Sequence, residues 1–134
     1  MNIFVIGLVI LLLLGGYLVF GQNRAKSEWE KVYGNPEKLV ELVEKKSEPF
    51  LLVDVRTPEE YASGHIPGAI NIPHGLIDSQ LPTQDRDALI ILYCRSGNRS
   101  GIAKKTLEAA GFKKVVNFGA VSRWPKERVT GANP

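Results

Sequence analysis

The chain has 134 residues, of which 44% are hydrophobic and 23% charged, with 13 glycines and a formal net charge of +3. This length allows one ordinary domain, and the composition excludes collagen-like, repetitive and wholly disordered chains. A single cysteine, Cys94, excludes an intramolecular disulfide.

The first segment with a clear pattern is apolar. Residues 3–20 carry no charge and would be about 27 Å long as a helix, which suits a thin bilayer. Basic residues follow at Arg24, Lys26 and Lys31, without a convincing signal-peptide cleavage site before them. We therefore expect residues 1–21 to be a retained, single-pass membrane anchor, with a cleaved signal peptide as the alternative. The positive-inside rule then places the rest of the chain on the cytoplasmic side of the inner membrane, with the periplasmic side as the alternative.

Residues 22–34 form a polar connector with mixed charges, and we place one folded domain over residues 35–134. Asn35 and Pro36 are typical of the N-cap and first position of a helix. Beyond that helix, unbroken apolar runs alternate with helical segments, which is typical of buried parallel strands. In chain order we predict a helix from residue 35, a strand at 50–53, a helix at 57–63, a strand at 69–72, a helical stretch at 75–81, a strand at 89–93, a helix at 100–110 and a strand at 115–118.

This order predicts an α/β fold, a small parallel sheet with helices on both faces. Ligands of such sheets bind beyond the carboxyl ends of the strands. Asp54 and Cys94 each stand at such an end. We expect Asp54 and Arg56 to support the site by tying the strand end to neighbouring loops through charge-assisted hydrogen bonds, rather than to transfer protons.

The loop after the third predicted strand is the strongest candidate site. It combines successive backbone N–H groups, a glycine and a helix N-terminus, which together favour an anion. The same field, reinforced by two arginines, favours a thiolate, so we predict an acidic, nucleophilic cysteine; an inert buried cysteine is the alternative. The candidate residues are Cys94 as nucleophile and, for substrate binding, Arg95, Ser96, Gly97, Asn98 and Arg99.

Charge divides unevenly along the chain beyond the apolar segment. Residues 22–94 carry 8 Lys or Arg against 12 Asp or Glu, and residues 95–134 carry 9 against 2, giving net charges of −4 and +7. No Arg-rich run or zinc-ligand spacing accompanies the basic part, so we expect no nucleic-acid partner and an attraction for small anions instead. The two histidines, His65 and His74, lie at turns without further ligands at metal spacing, so we expect no metal or cofactor.

Five motifs in a fixed order resemble single-domain rhodaneses, a family of sulfurtransferases, over residues 35–124. They are Asp54-Val55-Arg56, Thr57-Pro58-Glu59-Glu60-Tyr61, the run from Gly64 to Pro73, the Cys94 loop, and the run from Gly119 to Trp124. The chain departs from the family pattern at Ala120, where a second glycine is usual, and in lacking a clear strand before Asn35.

The resemblance implies that Cys94 takes the outer sulfur of a small anionic donor such as thiosulfate, holds it as a persulfide, and yields it to a cyanide-like, thiol or protein acceptor. Four residues separate Cys94 from Arg99, whereas related phosphatase loops have five, which implies a smaller cradle suited to sulfur. The alternative function is a sulfur carrier or protein-interaction module that uses the same loop without turnover.

Overall fold

The computed structural model describes residues 28–134, which form one parallel sheet flanked by helices. In chain order the elements are α1 (Pro36–Lys45), β1 (Leu51–Asp54), α2 (Pro58–Ser63), β2 (Ile70–Asn71), a 3₁₀ turn (His74–Leu76), β3 (Leu89–Cys94), α3 (Asn98–Ala109), β4 (Lys114–Ala120) and a second 3₁₀ turn (Val121–Arg123). The strands lie in the order β2-β1-β3-β4, and every neighbouring pair is parallel. The predicted parallel α/β architecture is therefore confirmed.

Each face of the sheet carries its own hydrophobic core, because helices cover both faces. Leu42 of α1 belongs to one core, and Ala103 and Leu107 of α3 belong to the other. Successive residues of a strand point to opposite faces. In β3, Tyr93 therefore faces the α1 core while Cys94 faces the α3 core, which places the cysteine on the side of α3.

Local capping signals position α1 and α2 where the sequence predicts them. The Asn35 side chain accepts hydrogen bonds from the Glu37 and Lys38 amides and so begins α1. Thr57 and Glu60 form the predicted capping box at the start of α2, each side chain accepting from the other residue's amide. The box holds the Glu60 carboxylate at the exposed start of α2.

The helical stretch predicted at 75–81 was wrong in length, since only the 3₁₀ turn at His74–Leu76 forms there. Polar side chains satisfy the backbone locally: the Ser79 hydroxyl donates to the Leu76 carbonyl, and the Asp78 carboxylate accepts from the Ser79 amide. Such bonds compete with a continuing helix, and Pro82 follows directly.

Two boundaries near the carboxyl ends of the strands also differ from the prediction. The α3 helix begins at Asn98, two residues earlier than predicted, directly after a left-handed turn at Gly97. The β4 strand is longer than predicted and contains a bulge: Leu92 pairs with Asn117, but Tyr93 pairs with Gly119. One extra residue in β4 thus lies beside the end of β3.

Residues 28–33 are helical, and the Trp29 ring stacks on Tyr33 with centroids 6.0 Å apart. A helix therefore stands where the sequence lacks a clear first strand. The anchor predicted at 1–21 lies outside the described residues, as does the connector up to residue 27. Within residues 28–134, no helix is long and apolar enough to cross a bilayer.

Candidate active site

Cys94 ends β3, and the chain after it folds back over its sulfur. The Gly97 amide donates to Cys94 Sγ at 3.0 Å, and the Ser100 hydroxyl oxygen lies 3.3 Å from the same sulfur. Two features of this return require glycine at position 97. Its φ is +94°, which favours glycine, and a Cβ on it would lie 3.3 Å from the Gly119 Cα. The loop is thus shaped by close contact between its own backbone and that of β4.

The bulged end of β4 accommodates the departure from the family pattern. Gly119 has a φ of +97°, which favours glycine, whereas Ala120 has a φ of −77°, which any residue adopts. Alanine in place of the usual second glycine therefore requires no strained backbone at this position.

The pKa of Cys94 is lowered from its usual value. Burial raises it, but hydrogen bonds from the Ser100 side chain and from the amides of Ser100, Ser96 and Gly97 outweigh burial. The direction agrees with the sequence prediction. The largest favourable contribution comes from Ser100, which the sequence analysis did not single out.

Ser100 and Asn117 form a polar contact that sequence reasoning missed. The Ser100 hydroxyl lies 2.7 Å from Asn117 Oδ1, and Asn117 Nδ2 donates to the Gly97 carbonyl at 3.2 Å. Asn117 therefore links β4 to the loop and to the first turn of α3. The available signal was one amide side chain within the otherwise apolar predicted strand at 115–118.

Arg99 points to a carboxylate rather than into open solvent. Its guanidinium donates to both oxygens of Glu60, at 2.7 and 2.9 Å. Hydrogen bonding by Arg99 lowers the pKa of Glu60 to about 2, against the opposing effect of burial. The pair joins the start of α2 to the Cys94 loop, so the Arg99 charge is largely neutralised.

The other loop residues present polar atoms at the surface. Arg95, Ser96 and Asn98 are exposed, and Arg95 makes no ion pair within residues 28–134. Cys94 itself is fully buried. Of the two loop arginines, Arg95 is thus the one whose charge faces solvent without a carboxylate partner among the described residues.

Asp54 and Arg56 form a buried ion pair at the end of β1. Arg56 donates to Asp54 at 2.7 to 3.1 Å and also to the Gly64 carbonyl at 2.7 Å, with 5% of its side chain exposed. Burial opposes the Arg56 charge, but the hydrogen bonds and attraction of Asp54 outweigh it and raise the Arg56 pKa. The pair ties the strand end to the loop after α2 and makes no described contact with Cys94.

The histidines do not adjoin the loop in any described contact. His65 is buried against the Tyr61 ring, with centroids 3.7 Å apart, and its Nδ1 bonds the Tyr61 carbonyl at 2.8 Å. Among residues 28–134, no three His, Cys, Asp or Glu side chains converge as metal ligands would.

Comparison with known proteins finds relatives that match more than half of the chain. YrkF of Bacillus subtilis, named as a candidate sulfur carrier protein, is 40% identical over 70 residues, which span 52% of this chain and 38% of YrkF. The thiosulfate sulfurtransferase PspE of Escherichia coli K12 is 36% identical over 81 residues, spanning 59% of this chain and 78% of PspE. This chain thus spans well under half the length of YrkF and most of PspE.

Solved structures share the fold. A rhodanese-like domain protein from Staphylococcus aureus superimposes with a TM-score of 0.63 at 33% identity, over 72% of this chain and 94% of that one. The family model of the rhodanese-like domain matches residues 35–127, which is more than half of the chain. With the strand, loop and helix around Cys94 in place, this match shows that the chain belongs to the rhodanese-like family.

Proposed function

We propose that the protein is a membrane-tethered sulfurtransferase that moves sulfane sulfur from a small anionic donor, such as thiosulfate, to a thiophilic acceptor through a Cys94 persulfide. One observation carries the proposal: Cys94 Sγ accepts a hydrogen bond from the Gly97 amide inside a loop that leads into α3. Amides and a helix N-terminus stabilise negative charge on sulfur. The similarity to PspE supports thiosulfate as the donor class.

The reaction is two successive transfers of one sulfur atom. The Cys94 thiolate attacks the outer sulfur of thiosulfate; a sulfur–sulfur bond forms to Sγ, and sulfite leaves with the electron pair of the broken bond. Cyanide or a thiolate then attacks the terminal sulfur of the persulfide, and the Cys94 thiolate leaves. No external oxidant or reductant is consumed, and the loop stabilises the anion present before and after each step.

We assign substrate binding to residues 95–98 of the loop and a supporting role to Arg99. The exposed guanidinium of Arg95 attracts the sulfonate group of the donor, whereas Arg99 holds the loop in place through Glu60. Ser96, Gly97 and Asn98 supply backbone amides or exposed polar atoms around the sulfur. The buried Asp54–Arg56 pair supports the end of β1.

Mass spectrometry of the intact protein after incubation with thiosulfate tests this function directly. One additional sulfur atom, removable by cyanide, is expected on the wild type and not on Cys94→Ser, which should lose transfer while keeping its fold. Sulfur loading or turnover retained by folded Cys94→Ser would exclude Cys94 as the carrier.

A sulfur-carrier role without small-molecule turnover is the second candidate, and the similarity to YrkF favours it. Complete burial of Cys94 also suits a persulfide that is kept from solvent until a protein partner docks. Steady-state turnover of thiosulfate with cyanide, compared with sulfur transfer from a cysteine-desulfurase-type protein, separates the two. Fast turnover with small molecules favours the enzyme, and transfer only from the protein donor favours the carrier.

Tethering is the part of the proposal that rests on sequence alone. The uncharged residues 3–20 support an anchor, and Arg24, Lys26 and Lys31 after them support a cytoplasmic domain. Determining the mature N-terminus tests the anchor, and the protease accessibility of the domain in spheroplasts tests its side of the membrane. A mature chain that starts near residue 22 would exclude the anchor, and digestion from outside would place the domain in the periplasm.

A further inference from the structure

Ser100 lies beside Cys94 and contacts Asn117, yet the sulfur-transfer steps assign neither residue a role. The Ser100 hydroxyl oxygen lies 2.7 Å from Asn117 Oδ1 and 3.3 Å from Cys94 Sγ. Ser100 is fully buried, so solvent does not offer its hydroxyl another partner. The hydroxyl therefore has two possible hydrogen-bond partners, the Asn117 amide oxygen and the Cys94 sulfur.

The orientation of the Asn117 amide follows from its contact with the Cys94 loop. Asn117 Nδ2 lies 3.2 Å from the Gly97 carbonyl oxygen, which can only accept a hydrogen bond. The amide nitrogen must therefore face Gly97, and the amide oxygen must face Ser100. Because an amide oxygen carries no hydrogen, the Ser100 hydroxyl is the donor in the 2.7 Å contact.

A hydroxyl has one proton, so Ser100 cannot donate to Asn117 and to Cys94 at once. While Cys94 is a thiol, its S–H can donate to the Ser100 oxygen, and Ser100 can keep its bond to Asn117. A thiolate only accepts, so a hydrogen bond between it and Ser100 requires the Ser100 proton to turn away from Asn117 and toward Sγ. Ionisation of Cys94 thus weakens the Ser100–Asn117 bond.

We propose that Asn117 is a positioning residue that, by competing for the Ser100 hydroxyl proton, sets how readily Cys94 becomes the attacking thiolate. The hydroxyl rotates without exchanging its proton, and the thiol proton leaves to solvent. The consequence of this competition for sulfur transfer rests on the proposed function, whereas its effect on the ionisation of Cys94 does not.

The alanine substitutions that test this competition leave the surrounding charges unchanged. On the loop side, Arg99 is paired with Glu60, and Asp54 is paired with Arg56. On the far side of Asn117, its backbone amide donates to Glu30, which also pairs with Lys104. The charged groups around the network are Arg95, Arg99, Glu60, Asp54, Arg56, Glu30 and Lys104.

A thermodynamic cycle of Ser100→Ala and Asn117→Ala in the full chain isolates the competition. The rate of alkylation by iodoacetamide is measured against pH in the wild type, both single variants and the double variant, after circular dichroism has shown each to be folded. At a fixed pH below the wild-type midpoint, Ser100→Ala is expected to slow alkylation about three- to tenfold, because the thiolate loses a hydrogen-bond donor.

Asn117→Ala is expected to have different effects in the chain that keeps Ser100 and in the chain that carries Ser100→Ala. With Ser100 present, losing the competing acceptor should speed alkylation at that pH by up to several-fold. Without Ser100, the same substitution removes only the contact with Gly97 and should leave the rate unchanged or slower. Equal effects of Asn117→Ala in both backgrounds would overturn the proposal, since they would show that Asn117 acts only through the loop backbone.

If Asn117→Ala does not fold, Asn117→Asp replaces it in the same two backgrounds. The added negative charge should slow alkylation in both backgrounds, and because the carboxylate also holds the Ser100 proton more tightly, the slowing should be larger with Ser100 present; an equal effect overturns the proposal. Sulfur loading of the same samples separates this inference from the proposed function. If the protein loads sulfur but the Asn117 substitution has the same effect with and without Ser100, only the inference is overturned. If the effect depends on Ser100 but no sulfur is loaded, only the proposed function is overturned.

Discussion

At the residue scale, Cys94 is buried in a sheet core, where an isolated anion would be costly, yet its pKa is lowered. The physical reason is that short-range donors surround the sulfur: the Ser100 hydroxyl and the amides of Ser96, Gly97 and Ser100. Burial and ionisation are compatible here because hydrogen bonds, rather than solvent, stabilise the charge.

The first prediction concerns this ionisation. Alkylation of the native protein by iodoacetamide should rise with pH to a plateau, with a midpoint below the ~8.5 of an unperturbed cysteine, because the thiolate is the reacting form. The same protein unfolded in urea is the control, and its midpoint should return to ~8.5 because the donors are gone. A native midpoint at or above that of the unfolded chain would contradict the lowered pKa.

At the element scale, the site is a strand, a tight loop and a helix held against the last strand. The loop meets β4 where Gly97 approaches Gly119, and it meets α2 where Arg99 pairs with Glu60. The β4 bulge lies at the same place, where Tyr93 pairs with Gly119. Loop geometry is therefore set by its two neighbours as well as by its own residues.

The second prediction tests the contact with β4. Gly97→Ala should destabilise the fold by more than the ~1–2 kcal/mol of a left-handed alanine, because its Cβ would also press on the Gly119 backbone at 3.3 Å. Gly68→Ala is the matched control, with a φ of +85° and nothing within 4 Å of an added Cβ. Urea unfolding measures both, and sulfur loading should fall only in Gly97→Ala. Equal destabilisation would show that the approach of loop and strand imposes no constraint.

The third prediction tests the contact with α2. The pKa of Glu60 is about 2 in the folded protein, below the ordinary 4.5, so its ionised form adds stability that is present above 4.5 and is lost as pH falls toward 2. Glu60→Gln should therefore lose less stability than the wild type between pH 5 and pH 3, after a loss of about 1 kcal/mol or less near pH 7. Urea unfolding at each pH measures this, and parallel curves for both proteins would exclude a stabilising Glu60 carboxylate.

At the scale of the whole molecule, the charge gradient along the sequence does not become one acidic end and one basic end. Within residues 28–134, three ion pairs join the acidic first part to the basic second part, which neutralises some of the charge of each. They are Glu30 with Lys104, Glu60 with Arg99, and Asp87 with Lys113. Lys113 and Lys114 also lie where β4 begins, at the amino ends of the strands, whereas Cys94 lies at the carboxyl end of β3. Of the two arginines in the Cys94 loop, only Arg95 is exposed without an ion pair among residues 28–134, so under the proposed function it is the loop charge available to attract an anionic donor.

The fourth prediction follows from this distribution. The kcat/KM for thiosulfate should fall as salt is added, and Arg95→Ala should raise KM at low salt and flatten that dependence, because salt screens the charge that attracts the donor. Lys113→Ala removes the same charge at the amino ends of the strands, away from Cys94, and should keep the wild-type salt dependence. If Arg95→Ala leaves KM at low salt unchanged, Arg95 is only a solvated surface charge.

Signals close together in the sequence were enough to predict much of this protein. Asn35, the Thr57–Glu60 capping box and the apolar run of β3 each act through residues within a few positions of one another, so each is visible without a fold. The cradle around Cys94 is equally local, since the sulfur and its Gly97 donor are three residues apart. Parallel α/β architecture then follows from the order of these elements.

The side-chain partners of the Cys94 loop depend on contacts that form only when the chain is packed. Ser100 meets Asn117 across 17 positions, and Arg99 meets Glu60 across 39. No short-range pattern encodes such pairs, because they depend on which elements lie side by side and on the β4 bulge beside the end of β3. The sequence by itself thus determined that Cys94 lies in an anion-stabilising loop. The tertiary structure decided which side chains surround it and which of its two arginines is left facing solvent, since those partners come from other elements.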